Sequence, residues 1–460
     1  MSINLSSSLL KPIVSLLPGE KPILAVRVFP NAMDTSLPRV AKHLALGIDT
    51  SGSMEGDRME AVKRTLHLLI DALPAGDKIS VIRYSSESSF VLESKVLEID
   101  RAPIHDAISA LVAAGGTNLE SAMWQLKDLL TRSHVDSVFV LTDGHINEGI
   151  KAGNGLLRIL GQDIPPLNTL GFGADYNVMT LKTLSVATRG SHTFADAAEL
   201  IPAIIGDIVG GLASEVGNKA VLELPAGWRC LELGTEDGAT SYSIGTLIAE
   251  KDQWVVLEGP ADITDMPTQL TFSFNESNAS KKEMKIQVDT SIPFLEVSEQ
   301  YCRTLVANTY GVVTELMERV RMEEAKIKLD DLSATLKASL AKDRPFVIRL
   351  LAQVDEMLEE FRRPGGMRNA NVAPRMASNQ VALGVQRGIV SRIQSSQVEE
   401  DPTQSRALTG VYDTFSSPAQ RAATATMSSH YSQQEAQDAN DIHSPTYPPA
   451  PRALAFPPRC

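Results

Sequence analysis

Between His43 and about Gly211 the chain alternates short, mostly apolar runs with longer stretches of helical periodicity. That alternation is the signature of a parallel sheet wrapped by helices. The strand candidates are HLALGID (43–49), KISVIRYS (78–85), DSVFVLTD (136–143) and LNTLGFG (167–173). Each is largely apolar along its whole length, as strands covered on both faces should be. Between them Met59, Val62, Leu66, Leu69 and Ile70 recur at mostly three- or four-residue spacing over 57–73, and Leu119, Met123, Leu126 and Leu130 do so over 118–131. SSFVLES (88–94) follows its predecessor after a connection too short for a helical crossover, so it reads as an antiparallel edge strand. The fold class is α/β, a doubly wound, mostly parallel sheet over residues 41–212.

The texture changes near Asn218. KAVLELPAGWRCLEL, YSIGTLIAE, QWVVLEG, QLTFSFNE and KKEMKIQVDT alternate strand and turn with little helix, an antiparallel β-module over 218–292. Within the N-terminal segment 1–40, PILAVRVFP (22–30) has the same character. Its alternation puts Leu24, Val26 and Val28 on one face and Ile23, Ala25 and Arg27 on the other, with Arg27 reaching solvent. An apolar strand left unpaired is an aggregation hazard, so this run should join the later module, with residues 31–40 as a crossing linker. Residues 296–363 form a helical segment in which Val347, Leu351, Val354, Leu358 and Phe361, following Pro345, mark a seam facing another helix. From residue 364 to 460 Ser, Gln, Ala and Pro dominate and large apolar residues thin out, which reads as a disordered tail.

Composition removes several classes of function. A net charge of −13 argues against a nucleic-acid surface, which needs clustered Lys and Arg. Cys230, Cys302 and Cys460 are too few and too scattered for a disulfide framework or a zinc cluster, and fit a reducing compartment. The first basic residue is Lys11 and no small-residue cleavage site follows, so a signal peptide is not expected. No stretch reaches the ~18 apolar residues of a membrane span. The expected setting is cytoplasmic.

The chemistry sits at the strand ends. The first strand closes on Asp49-Thr50-Ser51-Gly52-Ser53, a later loop reads Gly115-Gly116-Thr117-Asn118, and strand 136–143 closes on Thr142-Asp143-Gly144. In a doubly wound sheet of order 3-2-1-4-5, strands one and four are neighbours at the switch point, where a crevice opens at their carboxyl ends. Asp49 and Asp143 should therefore meet. Two carboxylates and the hydroxyls of Ser51, Ser53 and Thr117 offer only oxygen, a donor set for a hard cation. Five side chains giving one oxygen each cannot complete an octahedron, which leaves a position for water or a partner. If the hydroxyls bind directly and one or both aspartates bind through water, the ion keeps much of its charge and attracts an outside carboxylate.

The pattern resembles the metal-ion-dependent adhesion site of the von Willebrand factor A family, D-x-S-x-S followed by a Thr and then an Asp. Asp49, Ser51, Ser53, Thr117 and Asp143 match it position by position. The resemblance covers about residues 40–212. It implies the α/β fold, a divalent ion (Mg²⁺ or Mn²⁺) and a protein partner that presents an Asp or Glu side chain. The wider layout is similar to intracellular multidomain members of the family.

The function expected is that of a metal-dependent interaction or scaffold protein, not an enzyme. An accessory subunit of a ubiquitin-ligase or AAA-ATPase machinery is the alternative. A metal-dependent hydrolase would need a base, and His145 and Glu148, just beyond Asp143, are the residues placed to serve.

Overall fold

A computed structural model describes residues 3–10, 21–31, 39–173, 176–195, 200–233, 235, 238–260, 267–276, 280–288, 294–362, 372–384 and 416–442. Most of the linker 31–40, the Pro364-Gly365-Gly366 stretch and Cys460 lie outside them.

The described residues begin with β1 (Ile3–Leu10) and β2 (Ile23–Pro30). Next comes the α/β unit: β3 (His43–Asp49), α1 (Asp57–Ala72), β4 (Lys78–Tyr84), β5 (Ser88–Val96), α2 (Ala102–Ser109), α3 (Leu119–Arg132), β6 (Ser137–Thr142), α4 (Gly153–Leu160), β7 (Leu167–Phe172), α5 (Val178–Ala187), β8 (His192–Ala195) and α6 (Ile201–Ala213). Its six-stranded sheet runs β5-β4-β3-β6-β7-β8. Every pairing is parallel except that of β5 on β4. The sixth strand, β8, extends the order expected from sequence; HTFA is too short to show a period.

Every residue of β3, β6 and β7 is buried, because helices cover both faces. The two-residue period of a strand splits their side chains between two cores. Leu44, Leu46, Ile48, Phe139 and Leu141 pack with α1, α2 and α6. Ala45, Val138 and Val140 pack with α3, α4 and α5.

Strands β9 (Glu215–Glu223), β10 (Arg229–Cys230), β11 (Ser241–Ile248), β12 (Gln253–Glu258), β13 (Gln269–Glu276) and β14 (Lys281–Gln287) complete two further four-stranded sheets. One has the order β1-β2-β12-β10 and the other β11-β9-β13-β14. The early strand β2 thus pairs antiparallel with β12 across the intervening α/β unit, Val26 facing Val255. Leu24, Val26 and Val28 enter the core between the two sheets. On the opposite face Ile23 and Ala25 pack with Trp254, Val256 and Val297. Arg27, expected in solvent, is half-buried instead. Its Nε and Nη2 donate to the Asp252 carboxylate at 2.5 and 3.0 Å, and its guanidinium lies 5.6 Å from the ring centres of both Phe29 and Trp254.

Helices α7 (Phe294–Glu318), α8 (Met322–Ala338) and α9 (Pro345–Arg362) pack on one another through Val306, Tyr310, Leu329, Leu332, Val354 and Leu358. A fully buried ion pair ties this bundle to the β-strands. Arg303 Nη1 donates to Glu232 Oε2 at 2.9 Å and to the Leu383 carbonyl at 2.8 Å.

Two segments of the stretch read as a disordered tail are helices, α10 (Val372–Gly384) and α11 (Pro418–Ile442). Helix α10 bridges two cores: Val372, Met376 and Leu383 join the helical bundle, and Ala377 joins the α/β unit. Two of its buried polar residues have partners, Ser378 Oγ accepting from Phe194 N at 3.2 Å and Gln380 Oε1 from Lys182 Nζ at 3.1 Å. Helix α11 lies against α6. A Cβ on Gly206 or Gly210 would come within 2.7 Å of Thr424 Cα and 2.6 Å of Gln420 Cα, so glycine at both positions lets the helix backbones meet. Because α10 is buried all round and α11 packs through small residues, neither shows the apolar stripe that marks a helix in sequence. The rest of 364–460 lies outside the described residues.

Candidate functional site

The site forms where β3 and β6 end. Their parallel register sets Ile48 opposite Leu141, so the chain leaves both strands at the same edge and Asp49 and Asp143 emerge side by side. After Asp49 the chain makes a tight turn over Gly52–Met54, and Gly56, at φ 83°, swings it into α1. That φ belongs to the left-handed region, which glycine enters without steric cost. Two backbone bonds, Ala114 N to Thr50 O at 2.7 Å and Gly52 N to Gly115 O at 3.0 Å, join this turn to the loop before α3. Thr117 is fixed through its backbone: its N donates to Asn147 Oδ1 at 2.8 Å, and its carbonyl accepts from Asn147 N and Glu148 N.

All five residues singled out by sequence converge. Asp49, Ser51, Thr117 and Asp143 are buried, and Ser53 faces solvent. Ser51 Oγ lies 3.1 Å from Ser53 Oγ, which in turn donates to Asp143 Oδ1 at 2.7 Å. A Cβ placed on Gly144 would lie 3.2 Å from Ser53 Oγ and 3.8 Å from Thr117 Oγ1, so both hydroxyls overhang the bare backbone after Asp143. Asp49 is anchored from two sides, by Ser51 N on Oδ1 at 2.8 Å and by Thr142 Oγ1 on Oδ2 at 2.6 Å.

Burial pushes the Asp49 carboxyl up to about 6, with the neighbouring Asp143 adding to the rise and the hydrogen bonds from Thr142 and Ser51 opposing it. Two adjacent carboxylates removed from water are costly unless a positive charge joins them. The donor spacing suits such a charge. Bonds of about 2.0–2.1 Å in an octahedron put neighbouring ligands roughly 3 Å apart, close to the 3.1 Å between Ser51 Oγ and Ser53 Oγ and the 2.7 Å between Ser53 Oγ and Asp143 Oδ1. Among the described residues no group of three or more His, Cys, Asp and Glu assembles to hold a metal, so an ion here depends on the hydroxyls.

Sequence reasoning missed two residues that shape the site. Thr142, inside β6, orients Asp49. Arg58, in the first turn of α1, donates from Nη1 to Asp143 Oδ2. A threonine within an apolar strand and an arginine on an exposed helix turn carry no signal of their own. Of the two candidate bases, Glu148 accepts from Ser86 Oγ at 2.9 Å and so braces the loop, while His145 is exposed.

A doubly wound sheet whose switch point presents carboxylates and hydroxyls, and no imidazole or thiolate, defines a class of domain. The comparisons with known proteins name it. Residues 44–145 match the family model of the von Willebrand factor type A domain, a span that contains all five site residues, and the chain carries a domain of that kind. The uncharacterized protein sll0103 of Synechocystis sp. is 31% identical over 162 residues, covering 34% of this chain and 38% of that protein. Inter-alpha-trypsin inhibitor heavy chain H1 of Bos taurus is 24% identical over 171 residues, 34% of this chain and 19% of its own. The chain thus spans well under half the length of these curated relatives. Among solved structures, a von Willebrand factor type A protein from Catenulispora acidiphila superposes over 83% of this chain and 96% of its own with a TM-score of 0.57 at 14% identity. The ArnB paralog VWA2 from Sulfolobus acidocaldarius covers 83% of this chain and 97% of its own, with a TM-score of 0.51 at 18% identity. At these identities the likeness is one of fold. Among the described residues no helix is long and apolar enough to cross a membrane.

Proposed function

We propose that Asp49, Ser51, Ser53, Thr117 and Asp143 hold one divalent cation, Mg²⁺ or Mn²⁺, and that the protein uses it to bind an Asp or Glu side chain of a partner protein. The observation that carries this reading is the chain of oxygens from Ser51 Oγ to Ser53 Oγ to Asp143 Oδ1, at 3.1 and 2.7 Å, beside the buried Asp49. An all-oxygen set of this spacing favours a hard ion over a soft one. The ion would supply a positive charge at the sheet edge. The chain's own residues do the rest: Thr142 and Ser51 N fix Asp49, the 144–150 loop fixes Thr117, and the exposed Ser53 marks the side from which an anion arrives.

The role in this reading is binding and scaffolding rather than catalysis: Glu148 is engaged with Ser86, and His145 is an exposed loop residue. A cytoplasmic setting accords with Cys230 and Cys302, both buried as free thiols. Affinity capture with the intact chain tests the reading, in MgCl₂ and in chelator, alongside Thr117→Ala. Any protein captured in MgCl₂ alone should lose binding when its contacting Asp or Glu is replaced by Ala. Capture that persists equally in chelator and in the Thr117→Ala protein refutes it.

A further inference from the structure

Arg58 stands out among the charged groups of the site because three separate elements hold it there. Its Nη1 donates to Asp143 Oδ2 and reaches the Ser53 carbonyl at 3.4 Å. The guanidinium lies 5.7 Å from the ring centre of Phe172, at the end of β7, and a Cβ on Gly173 would sit 3.8 Å from Nη2. The side chain keeps 43% of its surface exposed while its carboxylate partner keeps none. It is a charge fixed in place by the helix turn behind it and the aromatic ring beside it.

We propose that Arg58 is a built-in competitor of the divalent ion, neutralising Asp143 and thereby setting how tightly the site holds its cation. This rests on the metal-binding reading above. The reasoning is one of charge. Asp49 and Asp143 together offer two negative charges, and Arg58 cancels one of them at the oxygen opposite to that which accepts from Ser53. A divalent ion entering among the hydroxyls therefore meets a fixed positive charge on the far side of the same carboxylate and is repelled by it. Because Arg58 is half-exposed, water screens that repulsion and it tunes affinity without abolishing binding. A lysine would keep the charge, whereas glutamine would keep hydrogen-bonding capacity and remove it.

Titration calorimetry of MgCl₂ into the intact chain, its Arg58→Gln variant and its Arg58→Lys variant tests the proposal. Arg58→Gln should bind Mg²⁺ about tenfold more tightly than wild type, and Arg58→Lys should stay within about threefold of it. A second readout is the rise in melting temperature on adding MgCl₂ to chelator-treated protein, which should be larger for Arg58→Gln than for wild type. Equal or weaker affinity in Arg58→Gln, with wild type binding, overturns the role of Arg58 and leaves the metal site standing. Absence of binding in both wild type and Arg58→Gln overturns the metal reading itself.

Discussion

Thr142 Oγ1 donates to Asp49 Oδ2 at 2.6 Å, so the residue that precedes one carboxylate of the site orients the other. The bond crosses from β6 to the end of β3 and is fully buried. Replacing Thr142 with Val conserves the shape of the side chain and removes its only donor. Asp49 then keeps a buried carboxylate oxygen with one partner fewer, at a cost of about 1–3 kcal/mol. Urea denaturation in chelator should show that loss. A Thr142→Val protein as stable as wild type would mean that the bond contributes nothing net.

The ion pair of Arg303 with Glu232 has a different logic. Both side chains are fully buried, and Arg303 also donates to Gln300 Oε1 at 2.8 Å. Removing one member of such a pair strands the other's charge, which costs about 3–5 kcal/mol. Arg303→Met is therefore expected to lower the denaturation midpoint strongly, and adding Glu232→Leu to it should recover part of the loss. A double variant no better than the single one would contradict this account.

The α/β unit was legible because its pattern is redundant. Strands such as 43–49 and 136–143 are apolar throughout, and the five oxygen-bearing residues lie at fixed places beyond their ends, so one misread neighbour would not have hidden them. The early strand was legible from alternation, Leu24, Val26 and Val28 against Ile23 and Ala25. What stayed hidden is long-range. Arg27 read as solvent-facing because Asp252 lies far along the chain. Helix α10 has no apolar stripe, since Ser378, Asn379 and Gln380 are buried beside Met376 and Val381. Arg58 and Thr142 gain their roles only from what the fold sets opposite them.

Composition alone made residues 364–460 read as a disordered tail, whereas α10 and α11 within it are helices that bury apolar side chains and should therefore add stability. Val372, Met376, Val381, Leu383, Met427 and Tyr431 are all buried, and burying each large apolar side chain is worth about 1.5–3 kcal/mol. A chain ending at Arg363 should melt well below the full-length protein and expose the apolar face of α6, visible as increased binding of a hydrophobic dye. Equal melting temperatures would show that neither helix adds stability.

The buried imidazole of His192 makes stability depend on pH. Its ring nitrogens contact Thr169 Oγ1 at 2.9 Å and Tyr176 Oη at 3.3 Å, and burial, with Lys182 adding, pushes its pKa down to about 3. The folded protein thus keeps His192 neutral while the unfolded chain takes up a proton below about pH 6.5. Stability from this residue is complete above that pH and falls by about 1.4 kcal/mol per pH unit on acidification. Asp49 acts in the opposite sense, because its folded pKa is raised and protonation favours the folded state as pH falls through about 6. The two effects are separated by difference: between pH 6 and 4 wild type should lose stability relative to His192→Gln. Parallel pH curves for the two proteins would rule out the titration of His192.

The central claim is that these five oxygen-bearing residues hold a divalent ion, and the most direct measurement is a titration of the intact chain with MnCl₂ followed by the electron paramagnetic resonance signal of free Mn²⁺. Wild type should remove one equivalent of the signal, Mg²⁺ should release it, and Asp49→Ala, folded by its melting curve, should remove none. Equal depletion of the signal by wild type and Asp49→Ala would contradict the claim.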